Sequence, residues 1–317
     1  MKSGSRGPEK LPKQAILAVV VRSNGPKSLI RHLWPAYTKR YNLLANMRLL
    51  LADVTPYSSF RTEKGVMIMY SELKNKAAIV TGGSSGIGQG IAERFAQEGV
   101  DVVITGRHED SLKKAAAANP HIHYVVADMT NTDDVAKTVT YVKDNFGRLD
   151  ILVNCAGWCP VQDIKHMTLE DYNKAFDLDV KAVVDMTIQS LPMLLESKGN
   201  IINLSSIGAT RPGINLSMYT GAKAAVENFT KVWAVELAQD GVRVNAIAPG
   251  AVETNIWDVP GLTKEQSEAH MKSITDGIPV KRMGKPEDIA NMAAFLVSDQ
   301  ADYITGSIFK VDGALAI

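Results

Sequence analysis

The chain has few of the residues that stabilise secreted or metal-dependent folds. Its 317 residues include only two cysteines, Cys155 and Cys159, with no histidine cluster near them. Two thiols do not make a disulfide framework, and without further ligands they do not complete a zinc site. We therefore expect reduced thiols, a cytoplasmic protein and no metal.

Long apolar runs and acidic residues are scarce near the start of the chain. The apolar run at residues 15–21 is too short to span a bilayer, and the basic sequence after it has no clear cleavage site for a secretory signal. Residues 1–68 carry twelve basic and three acidic residues, a balance of +9, which leaves −8 for residues 69–317. The mildly acidic remainder predicts no attraction for nucleic acid or anionic membranes.

Residues 1–68 show no sustained periodicity and are interrupted by five prolines. We interpret them as a basic extension, either disordered or upstream of a native start at Met67 or Met69. An organelle-targeting peptide and a separate functional domain are the alternatives. Residues 69–317 then form the folded domain.

From residue 77 onward, short apolar runs rich in β-branched residues alternate with longer helical patterns. Strands that are apolar throughout belong in a sheet covered on both faces, and alternation of strands with helices requires parallel pairing. The sequence therefore predicts an α/β domain with a doubly wound, Rossmann-like parallel sheet of about seven strands. The predicted strands are 77–80, 101–105, 122–127, 151–153, 200–204, 243–247 and 307–311, and the predicted helices include 111–118, 132–146, 169–196 and 219–239.

A glycine-rich turn, Thr81-Gly-Gly-Ser-Ser-Gly-Ile-Gly88, stands between the first predicted strand and a helix. Its G-x-x-x-G-x-G spacing differs from the G-x-G-x-x-G fingerprint. Glycines nevertheless let a backbone approach a pyrophosphate, whose charge is favoured at the N–H groups of a helix N-terminus. A tight connection without ligand is the alternative, but the position after the first strand favours a dinucleotide site. The candidate ligands are Gly82, Ser84, Ser85, Gly86, Ile87 and Gly88.

The end of the second strand bears on the choice of dinucleotide. An acidic residue there would bind a ribose 2′-hydroxyl and indicate NAD. The sequence has Thr105-Gly106-Arg107 instead, and an arginine is suited to a 2′-phosphate. We predict NADP as the preferred cofactor and NAD as the second option, and a solvated surface arginine is the alternative role for Arg107.

Tyr219 and Lys223 stand one helical turn apart, and Ser206 lies thirteen residues upstream. An ammonium on the same helix face can lower the pKa of a phenol from its usual value of about 10. Tyr70 and Lys74 have the same separation, but a tyrosine occupies the position thirteen residues upstream of that pair. Context therefore favours Tyr219 as the acid–base residue.

Together these motifs resemble the classical short-chain dehydrogenase/reductase family over residues 73–312. The glycine turn is similar to the family's TGxxxGxG motif, and Tyr219 with Lys223 matches its YxxxK signature, with Ser206 at the position of the catalytic serine. Ala127-Asp128 is similar to the family's segment that contacts adenine, and Asn154-Cys-Ala156-Gly157 is similar to its NNAG motif. Pro249, Gly250, Val252 and Thr254 resemble the segment that closes over the nicotinamide. Residues 284–290 and Val311-Asp-Gly313 resemble the family's C-terminal landmarks.

The resemblance implies an NAD(P)-dependent oxidoreductase that interconverts a secondary alcohol and a ketone. In such enzymes Tyr219 would transfer the proton, Lys223 would lower its pKa and bind the nicotinamide ribose, and Ser206 would bind the reacting oxygen. The family also implies a homotetramer built through residues 169–196 and 219–239 and the C-terminal strand. A catalytically silent dinucleotide-binding scaffold or redox sensor, and a nucleotide-sugar epimerase or dehydratase, are the alternatives.

One position departs from the family. Asp179 stands where the family has an asparagine whose main-chain carbonyl is thought to hold a water that links the lysine to solvent. A carboxylate there would stabilise the ammonium of Lys223 and partly offset its effect on Tyr219. We therefore include Asp179 among the catalytic candidates, the alternative being a one-residue misalignment that leaves it on the helix surface.

Apolar residues are concentrated where the family binds its substrate. They suit an apolar alcohol or ketone, such as a steroid, a terpenoid or an acyl thioester, and packing under a lid or at a subunit interface is the alternative. Trp257 and Met271 are the best candidates for a moving lid, with Gly261 and Gly277 as hinges. The predicted lining residues are Trp158, Val161, Ile207, Ile214, Leu216, Met218, Ile256, Trp257, Val259, Leu262 and Met271.

Overall fold

The computed structural model describes residues 61–63, 66–254 and 263–317. The interpretation of residues 1–60 and the roles expected of Trp257 and Gly261 lie outside these residues, as do the predicted lining residues between 256 and 262. Within the described part of the chain, no helix is long and apolar enough to cross a membrane.

Seven strands form one parallel sheet, as predicted, in the order β5-β4-β3-β6-β7-β8-β9. β3 is the first strand of this sheet in sequence and lies in its middle. β4 and β5 follow on one side and β6 to β9 on the other, so the direction in which strands are added reverses between β3 and β6. Ligands bind at the carboxyl ends of the strands at such a switch point. The strands are β3 (Ala77–Val80), β4 (Asp101–Gly106), β5 (Ile122–Val126), β6 (Ile151–Asn154), β7 (Asn200–Leu204), β8 (Arg243–Pro249) and β9 (Ile308–Val311).

Two further strands precede the sheet and were not predicted. They are β1 (Arg61–Glu63) and β2 (Val66–Ile68), which pair antiparallel. Strands of three residues are too short to show an alternating pattern, so the sequence gives no signal for them.

The helices cover both faces of the sheet, which explains why the strands are apolar throughout. In β3, Ala78 and Val80 pack into one core with Phe95, whereas Ile79 packs into the opposite core with Met186. Successive side chains of a strand point to opposite faces, so both sets must be apolar. The α-helices are α1 (Gly86–Gln97), α2 (Glu109–Ala116), α3 (Thr132–Phe146), α4 (Leu169–Phe176), α5 (Ala182–Ser197), α6 (Ser217–Leu237), α7 (Lys264–Asp276) and α8 (Pro286–Val297).

The helix expected over residues 169–196 is interrupted. Thr168 and Asp171 form a capping box at its start, but residues Asp177–Lys181 form a π-helical turn between α4 and α5. A π-helical turn inserts an extra residue and occurs mostly at functional sites. Here it contains Asp179, whose side chain is fully buried.

Helices α7 and α8 were not predicted as helices, although their start signals are in the sequence. Thr263 and Gln266 form a capping box before α7, and Pro286 occupies the first turn of α8. Helix α8 packs closely on α1, since a Cβ atom on Gly90 would lie 2.7 Å from Cβ of Pro286.

His121 lies just before the edge strand β5 and His123 lies within it, and both side chains are partly exposed. Nδ1 of His121 lies 2.8 Å from Oδ1 of Asp101, and the ring of His123 packs on Phe146. These contacts lie at the start of β4, at the end of the sheet opposite the switch point.

Candidate active site

The glycine turn lies between β3 and α1, and its backbone angles and close packing require glycine at several positions. Gly82 and Gly86 have φ angles of +67° and +54°, which side chains rarely tolerate. A Cβ atom on Gly88 would lie 2.4 Å from the carbonyl oxygen of Gly82. Ser85 precedes α1, but no side chain caps this helix. The backbone N–H groups of its first turn are therefore available for an anion, and the turn fits a dinucleotide pyrophosphate.

Thr81 joins the glycine turn to the segment that follows β6. Its Oγ1 accepts hydrogen bonds from the backbone N–H groups of Cys155 (2.9 Å) and Ala156 (3.0 Å). The Cα atom of Ala156 lies 2.9 Å from the position that a Cβ on Gly82 would take. Hence the predicted residues Gly82, Ala156 and Gly157 lie together at the switch point.

Asn154 is used inside the fold. Its side-chain nitrogen donates to Oγ1 of Thr187 (3.1 Å) and to Oδ1 of Asn203 (2.9 Å). Nδ2 of Asn203 donates in turn to Oγ1 of Thr230 at 2.9 Å. The side-chain amide of Asn154 is therefore engaged within the fold and supports the segment after β6.

The residues predicted for the adenosine end lie where β4 and β5 end. Arg107 is exposed just after β4, and Oγ of Ser84 lies 3.2 Å from the place that a Cβ on Gly106 would occupy. Asp128 accepts hydrogen bonds from the backbone and side chain of Thr130. The backbone bond from Thr130 is the largest of the effects that hold the pKa of Asp128 below its usual value, and the charge of Arg107 adds to it.

The segment expected to close over the nicotinamide follows β8. The N–H group of Gly250 donates to the carbonyl oxygen of Val311 at 3.0 Å. Cγ2 of Thr254 lies 3.0 Å from the position of a Cβ on Gly86, and Val252 is buried. Pro249, Gly250, Val252 and Thr254 therefore run from the end of β8 to the glycine turn.

Tyr219, Lys223 and Ser206 come together at the carboxyl end of β7. Tyr219 and Lys223 lie in the first turns of α6, with Nζ 5.7 Å from the centroid of the phenol ring. Ser206 follows β7, and its Oγ accepts from the N–H of Gly208 at 3.1 Å. Its hydroxyl is one of the influences that lower the pKa of the Tyr219 phenol.

Lys223 is buried and forms an ion pair with Asp179. Its Nζ lies 3.1 Å from Oδ1 of Asp179 and donates to the carbonyl oxygen of Leu204 at 3.0 Å. Oδ2 of Asp179 also accepts the N–H of Trp158 at 3.1 Å. A Cβ on Gly157 would lie 2.5 Å from Oδ1 of Asp179, so only glycine leaves room for the pair. Asp179 is therefore buried beside the lysine and is not the helix-surface acid that the alternative required.

Burial and neighbouring charges shift both titrating groups. Burial lowers the pKa of Lys223, but the carboxylate of Asp179 and the phenol of Tyr219 outweigh it, so the pKa lies above its usual value. Burial raises the pKa of Tyr219 more than the charge of Lys223 and the hydroxyl of Ser206 lower it. Lys223 acts on Tyr219 in the expected direction, but the net shift is upward because the site is buried. Both groups are protonated at neutral pH.

Both cysteines are free, and neither is an activated thiol. Burial raises the pKa of Cys155 to about 12. Burial, followed by the charge of Asp179, raises the pKa of Cys159 to about 11. A thiol needs a lowered pKa to act as a nucleophile near neutral pH.

Tyr70 and Lys74 lie in a different environment. Tyr70 is buried below the guanidinium of Arg94, 5.8 Å from the ring centroid. Its backbone N–H donates to the buried carboxylate of Glu98 at 2.8 Å. Tyr70 is therefore packed in the core beside Arg94 and Glu98, and the choice of Tyr219 as the acid–base residue stays a prediction.

Three contributors to the site were missed by the sequence interpretation. They are the hydroxyl of Thr81, the carbonyl of Leu204 and the backbone N–H of Trp158. Two of these are main-chain groups, which every residue carries, so no sequence pattern marks them. Thr81 was within the quoted motif, but only the fold shows that it faces the segment after β6.

The chain was compared with known proteins. Residues 82–315 match the family model described as enoyl-(acyl carrier protein) reductase. A 3-oxoacyl-[acyl-carrier-protein] reductase from Thermotoga maritima is 35% identical over 77% of this chain and 99% of that protein. A 3α-hydroxysteroid dehydrogenase from Mediterraneibacter gnavus is 36% identical over 78% and 99%. The crystal structure of a 3-ketoacyl-(acyl-carrier-protein) reductase from Brucella melitensis, complexed with NADH, has a TM-score of 0.71 and 35% identity over 77% of this chain and 100% of that chain.

The glycine turn and the serine–tyrosine–lysine arrangement define a dinucleotide-dependent oxidoreductase. The matches place it more narrowly: the chain belongs to the short-chain dehydrogenase/reductase family. It is an NAD(P)-dependent enzyme that interconverts alcohol and ketone groups.

Proposed function

We propose that this protein interconverts an apolar ketone and its secondary alcohol with NADP as the preferred cofactor. The observation that carries the proposal is the convergence of Ser206, Tyr219 and Lys223 beside an uncapped helix N-terminus at the switch point of the sheet. When bound, the nicotinamide supplies or accepts the hydride. The side chains of this protein supply the proton and position the reacting oxygen.

In reduction, the hydroxyl of Ser206 donates a hydrogen bond to the carbonyl oxygen and holds it beside Tyr219. Oη of Tyr219 then gives its proton to that oxygen, and the ammonium of Lys223 stabilises the resulting phenolate. In oxidation, the phenolate of Tyr219 takes the proton of the alcohol. The raised pKa of Tyr219 keeps the acid form populated at neutral pH, which favours reduction.

Asp179 acts through Lys223 and is a positioning residue. Its carboxylate lies 3.1 Å from Nζ, and the carbonyl oxygen of Leu204 accepts a second hydrogen bond from the ammonium. The third proton of Lys223 remains for a ribose hydroxyl of the cofactor. By holding the charged form of Lys223, Asp179 also raises the pH at which the tyrosine–lysine pair loses a proton.

Arg107 and Ser84 support the preference for NADP. A guanidinium binds a phosphate through paired, charge-assisted hydrogen bonds. Arg107 is exposed at the end of β4, beside the hydroxyl of Ser84. NAD, which lacks the 2′-phosphate, is the second option.

Exposed apolar residues around the site support an apolar substrate. Trp158, Val161 and Ile214 are 42%, 72% and 90% exposed. Exposed apolar side chains that lie together mark a binding surface, whereas isolated ones need no explanation. They lie on two loops that are joined by a hydrogen bond from the N–H of Gln162 to the carbonyl of Asn215 (2.8 Å). A steroid, a terpenoid or a 3-oxoacyl compound would cover them.

The proposal is tested by cofactor turnover with purified protein. NADPH oxidation is followed over a panel of steroids, simple ketones and 3-oxoacyl thioesters, with NADH in parallel. We expect turnover of at least one apolar ketone and a loss of about 10²- to 10⁴-fold in Tyr219→Phe, because the variant cannot transfer the proton. Cofactor binding by the variant, measured by fluorescence, is the control. No turnover with either cofactor would instead favour a dinucleotide-binding scaffold or redox sensor.

We further propose a cytoplasmic homotetramer built through α4, α5, α6 and β9. Apolar side chains that face solvent on these helices support it, because such clusters mark subunit contacts. A monomeric mass by light scattering at micromolar concentration would refute this assembly. The exposed residues are Leu169, Tyr172, Ile188, Leu195, Val232 and Val235.

Residues 1–68 are proposed to be dispensable for the reaction. Every catalytic and cofactor-binding candidate lies in residues 69–317, and the folded sheet begins with β3. A chain that starts at Met69 should therefore keep the turnover of the full chain, and its complete inactivity would contradict the proposal.

A further inference from the structure

Residues 312–316, near the end of the chain, form a turn that is held by hydrogen bonds within it. The carboxylate of Asp312 accepts the backbone N–H groups of Ala314 (3.0 Å) and Ala316 (2.9 Å). The N–H of Leu315 donates to the carbonyl of Asp312 at 3.1 Å. We call residues 312–316 the C-terminal turn.

The C-terminal turn lies directly on the segment after β8. A Cβ on Gly250 would lie 2.8 Å from Cα of Asp312. The N–H of Gly250 also donates to the carbonyl of Val311, the residue before the turn, at 3.0 Å. The turn is therefore anchored to the same segment that reaches the glycine turn through Thr254.

The C-terminal turn also holds the loop between two catalytic residues. Residues 207–218 run from Ser206 to Tyr219, and the middle of this loop is the exposed Arg211. Nη1 of Arg211 donates to the main-chain carbonyl of Leu315, 104 residues away in sequence. This contact therefore restrains the middle of the loop, close to Ile214, which is predicted to line the substrate site.

The side chain of Leu315 packs in another direction. It joins Met271 and Ile274 of α7 against a small core of Ala251, Ile278 and Met283. One residue thus presents its carbonyl to the loop 207–218 and its side chain to α7. These two elements carry residues predicted to line the substrate site.

We propose that the C-terminal turn is a brace that sets the distance between the loop 207–218 and α7, and that Arg211 is the positioning residue through which it acts on the substrate. The proposal rests on the proposed function for its kinetic consequence. It does not depend on that function for the mechanical link between the two elements. The contact of the turn with Gly250 does not involve Arg211, so removing the arginine side chain is expected to affect the ketone and to leave the cofactor in place.

The mechanical link is tested first, by amide hydrogen exchange on the full chain without substrate. The variants are Arg211→Met and Leu315→Ala, with Lys143→Met as an exposed-cation control on α3. We expect Leu315→Ala to speed exchange at least fivefold in residues 207–216 as well as in α7, and Arg211→Met to speed exchange in residues 207–216. The control should match the wild type. Unchanged exchange of residues 207–216 in Leu315→Ala would overturn the proposal.

The kinetic consequence is tested with the ketone found in the turnover screen. We expect Arg211→Met to raise the KM for the ketone about tenfold, the effect of about one lost hydrogen bond, with kcat changed less than threefold and the KM for NADPH unchanged. Arg211→Lys, which keeps a cationic donor, should recover most of the loss. The double variant Arg211→Met/Leu315→Ala should have a KM for the ketone no higher than that of the more affected single variant, because the two substitutions break the same link.

The outcomes separate the two proposals. KM factors that multiply in the double variant would show independent effects and refute the brace. A wild-type protein that reduces no ketone would refute the proposed function, and the exchange measurement would then decide the brace alone.

Discussion

Removing the buried carboxylate beside the catalytic lysine should move the pH dependence of the reaction. In Asp179→Asn, the shape of the side chain is kept but the charge 3.1 Å from Nζ of Lys223 is lost. The carboxylate of Asp179 raises the pKa of Lys223 and also that of Tyr219. Without it, both groups give up a proton more easily.

The size of the shift follows from the contacts. A close opposite charge changes a pKa by about 1–3 units, which fits Lys223, because its ammonium is fully within the ion pair. Asp179 is the smallest of the influences on Tyr219, so we expect the apparent pKa of the tyrosine–lysine pair to fall by about 1 unit, the lower end of this range, which is equivalent to about 1.4 kcal/mol. The two groups titrate as a coupled pair, and the measured value belongs to the pair.

The assay is kcat/KM for alcohol oxidation between about pH 6 and pH 11.5, a range that extends above the usual pKa of a phenol, about 10. Oxidation needs the deprotonated tyrosine, so the rate rises with pH through the pKa of the site. In Asp179→Asn the rising part of the pH–rate profile, which we call the limb, should move about 1 unit toward acid pH. At pH values below the wild-type pKa, the variant should then be up to about tenfold faster. Asp177→Asn, two residues away in the same π-helical turn, is the matched control and should leave the limb in place.

The same substitution should also lower stability. The buried ammonium loses a charge-assisted hydrogen bond, which contributes about 2 kcal/mol, while Leu204 keeps its own bond to Nζ. A limb that stays within 0.2 unit of the wild-type position, or moves toward alkaline pH, would refute the electrostatic reasoning whatever the change in stability.

Two further substitutions probe the neighbouring parts of the site. Gly157→Ala should lower kcat at least about a hundredfold, equivalent to about 2.7 kcal/mol. The new Cβ would lie 2.5 Å from Oδ1 of Asp179 and 3.2 Å from Nζ of Lys223. Turnover at the wild-type rate would show that the ion pair can shift to make room. Arg107→Ala should raise the KM for NADPH about 10- to 100-fold by removing a charged hydrogen-bond donor and leave the KM for NADH unchanged; equal changes for both cofactors would exclude a role in binding the 2′-phosphate.

The seven strands and the candidate site residues could be predicted because they depend on local patterns. The apolar strands carry their own signal, and the glycine turn and the tyrosine–lysine pair lie within single segments. The contact of Asp179 with Lys223 could be suspected only from the unusual residue at its position. Its burial depends on the π-helical turn, which has no distinct sequence pattern because α4 and α5 continue the same helical periodicity on either side.

Long-range contacts between loops could not be predicted. Arg211 and Leu315 are separated by 104 residues, and the acceptor is a main-chain carbonyl that any residue could provide. The upward shift in the pKa of Tyr219 was missed for a related reason. The sequence shows the lysine that lowers this pKa, but the extent of burial is a property of the folded site.

The amide pair below the site selects one alignment of the sheet. Asn154 and Asn203 are direct partners in the ladder between β6 and β7, and their side chains bond to each other in the core. A slip of one residue would send one amide to the opposite face and leave both without that bond, at a cost of about 1–3 kcal/mol for each unpaired group. Because Ser206 follows β7 and Gly157 follows β6, this pair also fixes the positions of these two residues relative to each other along the strands.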